Sequence, residues 1–236
     1  GTTNRFLGDL PGMVESLEEA VAIDQRLYGE HSRQAAHTMH TLGESLSNFN
    51  AMTEAKFWCE RALAAATSST TGPTGSLLVR IHHVIGNIDR IRGDLDGAIA
   101  HFRESMTAGL NSGPELVPFQ RFYGAADLAA TLMMAGRFDE AGAITDILRD
   151  HRAEVDDKLA IAVVMDSVIA ITMGRRGNFE EGEKLLTGTL ERMNTMFFFK
   201  ANPERLFAIQ RAIGFYEYWD SQQPGRGIAE RAAPFR

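Results

Sequence analysis

Apolar positions in this chain recur with a helical period, and the runs are broken by turns at regular intervals. Five segments share one arrangement, reading GDLPGMVESL from Gly8, NAMTEAKFWC from Asn50, GDLDGAIAHF from Gly93, GRFDEAGAIT from Gly136 and GNFEEGEKLL from Gly177. Their starts are 42, 43, 43 and 41 residues apart, and chance rarely produces so even a spacing. Each turn lies between two amphipathic stretches. A glycine in left-handed conformation ends the first helix. Acidic residues such as Asp96, Asp139 and Glu180 then favour the positive end of the next.

This pattern predicts alternating helices. Helices preceding a turn are expected at 32–48, 76–91, 115–135, 155–174 and 204–219, and helices following one at 11–28, 52–67, 96–109, 139–152 and 180–195. Breakers mark the loops SSTTGPTG (Ser68–Gly75), NSGPE (Asn111–Glu115) and KANPE (Lys200–Glu204). Past Trp219 the periodicity fades into a degenerate helix or a cap.

Small residues hold fixed places in the repeat. Seven positions before the turns stand Gly43, Gly86, Ala129 and Ala170, each preceded by a large apolar residue: Leu42, Ile85, Leu128 and Ile169. Five positions after the turn anchors stand Met13, Ala55, Ala98, Ala141 and Gly182. Small residues at such places let helices approach closely while the large ones fill the gaps beside them.

With these anchors and small residues the chain resembles the tetratricopeptide repeat family over nearly its whole length. The long period is similar to the kinesin-light-chain type found in bacterial proteins. LYGEHSRQAAHTMHTLGESL resembles that type's inter-repeat joint, with Ser32 where a proline is expected. The resemblance implies an all-α, right-handed α-solenoid of antiparallel helix pairs. Residues 1–236 are expected to form a single domain of about five pairs, a segment of a larger protein.

Composition leaves this picture intact. The net charge is −7, without the basic surplus of a general nucleic-acid binder. Valine and isoleucine are sparse beside alanine, leucine and methionine, which favours helix over strand. No apolar run approaches the ~20 residues that span a bilayer, so membrane insertion is not expected. The single cysteine, Cys59, excludes an internal disulfide; a reducing, cytoplasmic setting fits, and a secreted protein without disulfides would look the same. It falls at a packing position and is expected to be a buried, inert thiol.

Candidate chemistry is concentrated on the helices that precede the turns. His37, His40 and Glu44 share one helix face. A His-x-x-His pair with a glutamate can ligate zinc, but there is no HExxH, no cysteine pair and no fourth ligand. A polar partner surface is the favoured reading, with no metal and no cofactor. In the resembled family this face lines a concave groove. The resemblance therefore implies groove residues His37, His40, Glu44 and Asn48, then Arg80, His83, Asn87 and Arg90, then Tyr123, Ala126, Ala130 and Met133, then Val164, Ser167 and Ile171. Asn87 matches the family's backbone-gripping asparagine. His83 stands where a carboxylate clamp would have lysine, and Asp89 is a candidate neutraliser. Tyr123, Met133, Met134 and Met173 read as an adaptable apolar wall.

No glycine-rich phosphate loop with lysine, no G-x-S-x-G and no Cys/His nucleophile motif occurs. The expected function is a non-catalytic protein–protein interaction module that holds a peptide or helix. Its alternative is the sensor or oligomerisation domain of a larger bacterial regulator, a protein kinase or a transcription factor. An enzyme or metalloprotein on the same scaffold rests only on the histidines. MFFFK (Met196–Lys200) holds three consecutive phenylalanines, which one helix face cannot bury, and is a candidate inter-repeat or homodimer contact.

Overall fold

A computed structural model describes residues 10–69, 74–112, 116–196 and 203–235. Among them ten α-helices follow one another: α1 (Leu10–Tyr28), α2 (Arg33–Asn48), α3 (Met52–Thr67), α4 (Gly75–Ile91), α5 (Leu95–Asn111), α6 (Pro118–Met134), α7 (Phe138–His151), α8 (Ala160–Arg175), α9 (Phe179–Thr195) and α10 (Pro203–Gln222). Short 3-10 segments follow α7 (Arg152–Glu154) and α10 (Ile228–Phe235). The fold is all-α, built from sequential antiparallel helix pairs. The chain divides into two compact units, residues 1–124 and 125–236.

One backbone device recurs at the turns. Asn50, Gly93, Gly136 and Gly177 all have positive φ, of 62°, 83°, 73° and 91°. In each case the residue after the anchor bonds back five positions: Ala51 N–H to Leu46, Asp94 to Asp89, Arg137 to Leu132, Asn178 to Met173, at 2.8–3.0 Å. The anchor's own N–H reaches the carbonyl three residues back at 3.0–3.1 Å. This Schellman arrangement satisfies the last carbonyls of one helix while reversing the chain into the next. The turn expected at Gly8 lies outside the described residues.

Immediately afterwards the small residues Ala55, Ala98, Ala141 and Gly182 donate the first backbone bonds of the following helices, at 2.9–3.1 Å. All four are buried. So are Leu42, Gly43, Ile85, Gly86, Leu128, Ala129, Ile169 and Ala170. The close approach is real. A Cβ on Gly86 would stand 2.7 Å from the Phe102 ring, and one on Gly43 would collide with Cys59 Sγ. Ser32 replaces the expected proline by capping α2, its Oγ accepting from Ala35 N–H at 3.1 Å.

In the first unit α2 packs most extensively on α3 and α4 on α5, with α1 against α2 and α3 against α4. In the second unit α8 packs on α7, α9 and α10. Every residue from Ile161 to Thr172 is consequently buried, and α8 is covered around its circumference. That helix begins at 160, not 155. Asp156 Oδ1 accepts from Lys158 N–H at 2.9 Å in an Asx turn, which competes with helix over those residues. The C-terminal segment is a cap on α10. Asp220 Oδ1 accepts from Ile228 and Ala229 N–H at 3.1 and 3.3 Å, and Ile228 and Ala232 are buried. Of the MFFFK segment only Met196 is described; 197–200 lie outside the described residues. No helix among the described residues is long and apolar enough to cross a membrane.

Candidate functional site

The first unit carries a row of polar side chains across α2, α4 and the start of α6. Arg80 on α4 reaches Glu44 on α2 at 3.4 Å, each side chain about one-third exposed. One turn further along α4, His83 and Asn87 face each other, with Asn87 Nδ2 and His83 Nε2 3.2 Å apart. The Asn87 carbonyl accepts from Arg90 Nη2 at 2.6 Å. The His83 ring stacks on Tyr123 of α6 with centroids 4.9 Å apart and planes 26° from parallel. The Arg90 guanidinium lies 5.5 Å from the Phe102 ring of α5. Positions 80, 83, 87 and 90 share one helix face by their spacing, and the partners on α2 and α6 extend that face sideways.

Sequence expectation and structure differ over accessibility. His37 and Asn48 are exposed, while Glu44, Arg80, His83, Asn87 and Tyr123 are half-buried. His40, by contrast, is 0 % exposed and Arg90 5 %. Ala126, Ala130, Met133, Val164, Ser167 and Ile171 are buried as well. Ala126, Ala130, Val164 and Ser167 are taken up in packing between helices, while Met133 and Ile171 face a pocket of the second unit. Asp89 does not neutralise this face. It is itself buried and holds Lys56 of α3 at 2.6 Å.

His40 sits among apolar groups near Arg80. Burial first, and then the Arg80 charge, lower its pKa to about 3. An imidazole held neutral this strongly is not a proton shuttle near neutrality. No group of three or more His, Cys, Asp or Glu among the described residues is arranged to hold a metal ion. Cys59 is likewise buried, its thiol pushed up to about 12 by burial and then by Glu44 and Glu60.

The His40 shift sets a pH dependence. Its folded pKa is below the unfolded value of 6.5, so between pH 6.5 and 3 the unfolded chain binds a proton that the folded chain refuses. Stability is therefore lost as pH falls through this window. From this residue alone the fold should be about 2 kcal/mol weaker at pH 5 than at pH 7. Urea midpoints at the two pH values should separate more for the parent chain than for His40→Leu. Equal separation would show that His40 contributes nothing.

Two features escaped the sequence reading. On another face of α4, His82 pairs with His101 of α5, Nδ1 to Nδ1 at 3.1 Å. Nothing in one sequence announces that pairing. The other is a pocket of about 340 Å³ in the second unit, walled by Met133, Ile171, Phe207 and Phe215. Arg175, Gln210, Arg211, Gly214 and Tyr218 complete much of its lining. Residues 207, 210, 211, 214 and 218 recur at helical spacing on α10, and that stripe was the available signal.

With this geometry in view, the solved structures supply a parent fold. The crystal structure of BtubC (BKLC) from P. vanneervenii matches with a TM-score of 0.63, covering 97 % of this chain and 91 % of that one at 13 % identity. The fold is the tetratricopeptide type, kinesin-light-chain-like. At such low identity the likeness concerns the arrangement of helices alone. No family model and no curated protein matches the sequence.

Proposed function

We propose that this chain is a non-catalytic protein–protein interaction module. It holds a peptide or helix of its partner against the polar face formed by α2, α4 and the start of α6. The observation behind this reading is the run of half-buried polar side chains Glu44, Arg80, His83 and Asn87, bordered by the ring of Tyr123. These groups are positioned by rigid helices, so a partner meets a preformed surface and less ordering is needed on binding.

Each group has a role. Arg80 is only loosely engaged by Glu44, a partly exposed pair worth at most about 1 kcal/mol, and a partner carboxylate can replace Glu44 in the fork of the guanidinium. Asn87 offers an amide of both signs, which suits a peptide backbone, once it exchanges Arg90 or His83 for the partner. Tyr123 and His83 give a flat, partly apolar platform beside them. His37 and Asn48 extend the exposed polar surface along α2.

The test is affinity capture from extract of the native cell, using the parent chain beside an Arg80→Ala/Asn87→Ala version with unchanged helical content. Proteins retained by the parent and reduced about tenfold or more by the double substitution would support the polar face. Equal retention by both chains would overturn it.

A further inference from the structure

We infer that the pocket of the second unit is a binding site for a small monocarboxylic acid with an apolar body. Nothing in the interaction surface above uses this pocket, and no residue is shared between them. Its volume of about 340 Å³ falls at the lower end of small-molecule sites, which span ~300–1,000 Å³. The wall formed by Met133, Ile171, Phe207 and Phe215 is apolar and comes from α6, α8 and α10. Among the described residues the charged ones lining it are Arg175 and Arg211, both positive. Asp139 lines an adjoining pocket that shares Met133, Phe138, Arg175 and Tyr218. An apolar enclosure with a cationic lining is complementary to an amphiphilic anion.

Arg175 supplies the specific handle. Its guanidinium lies between two rings, 3.6 Å from the Phe138 centroid and 3.7 Å from that of Tyr218. This sandwich fixes the plane of the fork and leaves its donor edges directed sideways. Arg175 makes no ion pair and no hydrogen bond among the described residues, unlike Arg176 beside it, which forks onto Asp146 at 2.7 and 2.8 Å. A flat, oriented guanidinium without a carboxylate, at an apolar cavity, matches the bidentate geometry of a carboxylate ligand. Gln210 lies in the same lining as a second polar group.

Gly214 provides the means of closing the site. It lies within α10 and lines the pocket, and a Cβ built on it meets nothing within 4 Å. A larger side chain there starts into open space on the lining of the pocket.

Isothermal titration with 3-phenylpropionate and octanoate, each beside its neutral alcohol, tests the assignment. The two acids are expected to bind the parent chain with a Kd of about 1 mM or tighter, and the alcohols about tenfold more weakly. Gly214→Leu should abolish acid binding while keeping the thermal midpoint. Arg175→Met should weaken the acids about tenfold and leave the alcohols unchanged. Arg175→Lys should fall between parent and Arg175→Met, because it keeps charge and loses the fork. The inference is overturned if neither acid binds, if acid and alcohol bind alike, or if Gly214→Leu binds the acids as well as the parent. It is equally overturned if only an apolar peptide with an acidic residue binds, which would make the pocket an anchor for a protein partner. None of these variants touches Arg80 or Asn87, so failure here and failure of the proposed interaction face are separate results.

Discussion

Replacing Gly124 by valine is expected to destabilise the first unit by about 3 kcal/mol or more. Gly124 lies where α6 crosses α5. A Cβ at this position would collide with the backbone nitrogen of Met106 and stand 2.7 Å from the carbonyl carbon and Cβ of Ser105. The contact is reciprocal, since a Cβ on Gly109 of α5 would lie 2.5 Å from the Arg121 carbonyl oxygen on α6. No rotamer change relieves a clash with main chain, so one helix must move as a body. Urea denaturation followed by helical circular dichroism should show the midpoint falling by about 1 M or more. Gly188→Ala is the control. It also sits within a helix, but its Cβ meets nothing within 4 Å, and alanine should stabilise by about 0.5–1 kcal/mol. If the two substitutions shift the midpoint alike, the close approach of α5 and α6 is not what Gly124 provides.

The second large effect is expected from Asp166→Asn. Asp166 lies on the buried helix α8 with its side chain 5 % exposed. One carboxylate oxygen accepts from Arg152 Nε at 2.6 Å, and the other accepts from Arg152 Nη2 at 2.9 Å and from Arg192 Nη2 of α9. Arg152 and Arg192 also reach Asp157, which is largely exposed. Taking away the buried charge leaves two guanidiniums facing each other with one solvent-screened carboxylate. A buried pair broken on one side costs about 3–5 kcal/mol, and the partial exposure of Arg192 places this case near 3 kcal/mol. Asp146→Asn is the comparison. Its forked contact with Arg176 is exposed, and its loss should cost less than about 1 kcal/mol. Denaturation midpoints that do not distinguish the two substitutions would show that burial adds nothing to the Asp166 cluster.

The helix boundaries and turns were legible for a local reason. The positive φ at Asn50, Gly93, Gly136 and Gly177 needs residues without a steric penalty there, and glycine and asparagine are the residues that stand in those positions. The bonds that close each turn span five residues, so the information sits within one short segment. Small residues at Gly43, Gly86, Ala55 and Ala98 were equally readable, because close helix approach leaves a fixed trace at a fixed spacing. Apolar periodicity places the start of α8 too early because Asp156 bonds its own backbone neighbourhood, a side-chain effect that the period does not register.

The candidate face was only half legible. Spacing placed His37, His40 and Glu44 on one side of α2 and Arg80, His83, Asn87 and Arg90 on one side of α4. It did not separate the exposed His37 from the fully buried His40, or the half-buried Arg80 from the buried Arg90. Burial depends on which helix lies across that face. The apolar positions Val164 and Ile171 illustrate the same limit, since α8 is buried on every side and its periodicity does not tell which position packs and which lines a pocket.

By itself the sequence determined the repeat: ten helices, their turns, and the small residues that let pairs close, all encoded in hydrogen bonding and steric demands a few residues long. Only the tertiary structure decided which polar groups meet. Glu44 and Arg80 are 36 residues apart, Asp166 and Arg192 are 26 apart, and the apolar pocket gathers side chains from α6, α8 and α10. Such contacts arise from packing helices side by side, and no short stretch of chain contains them.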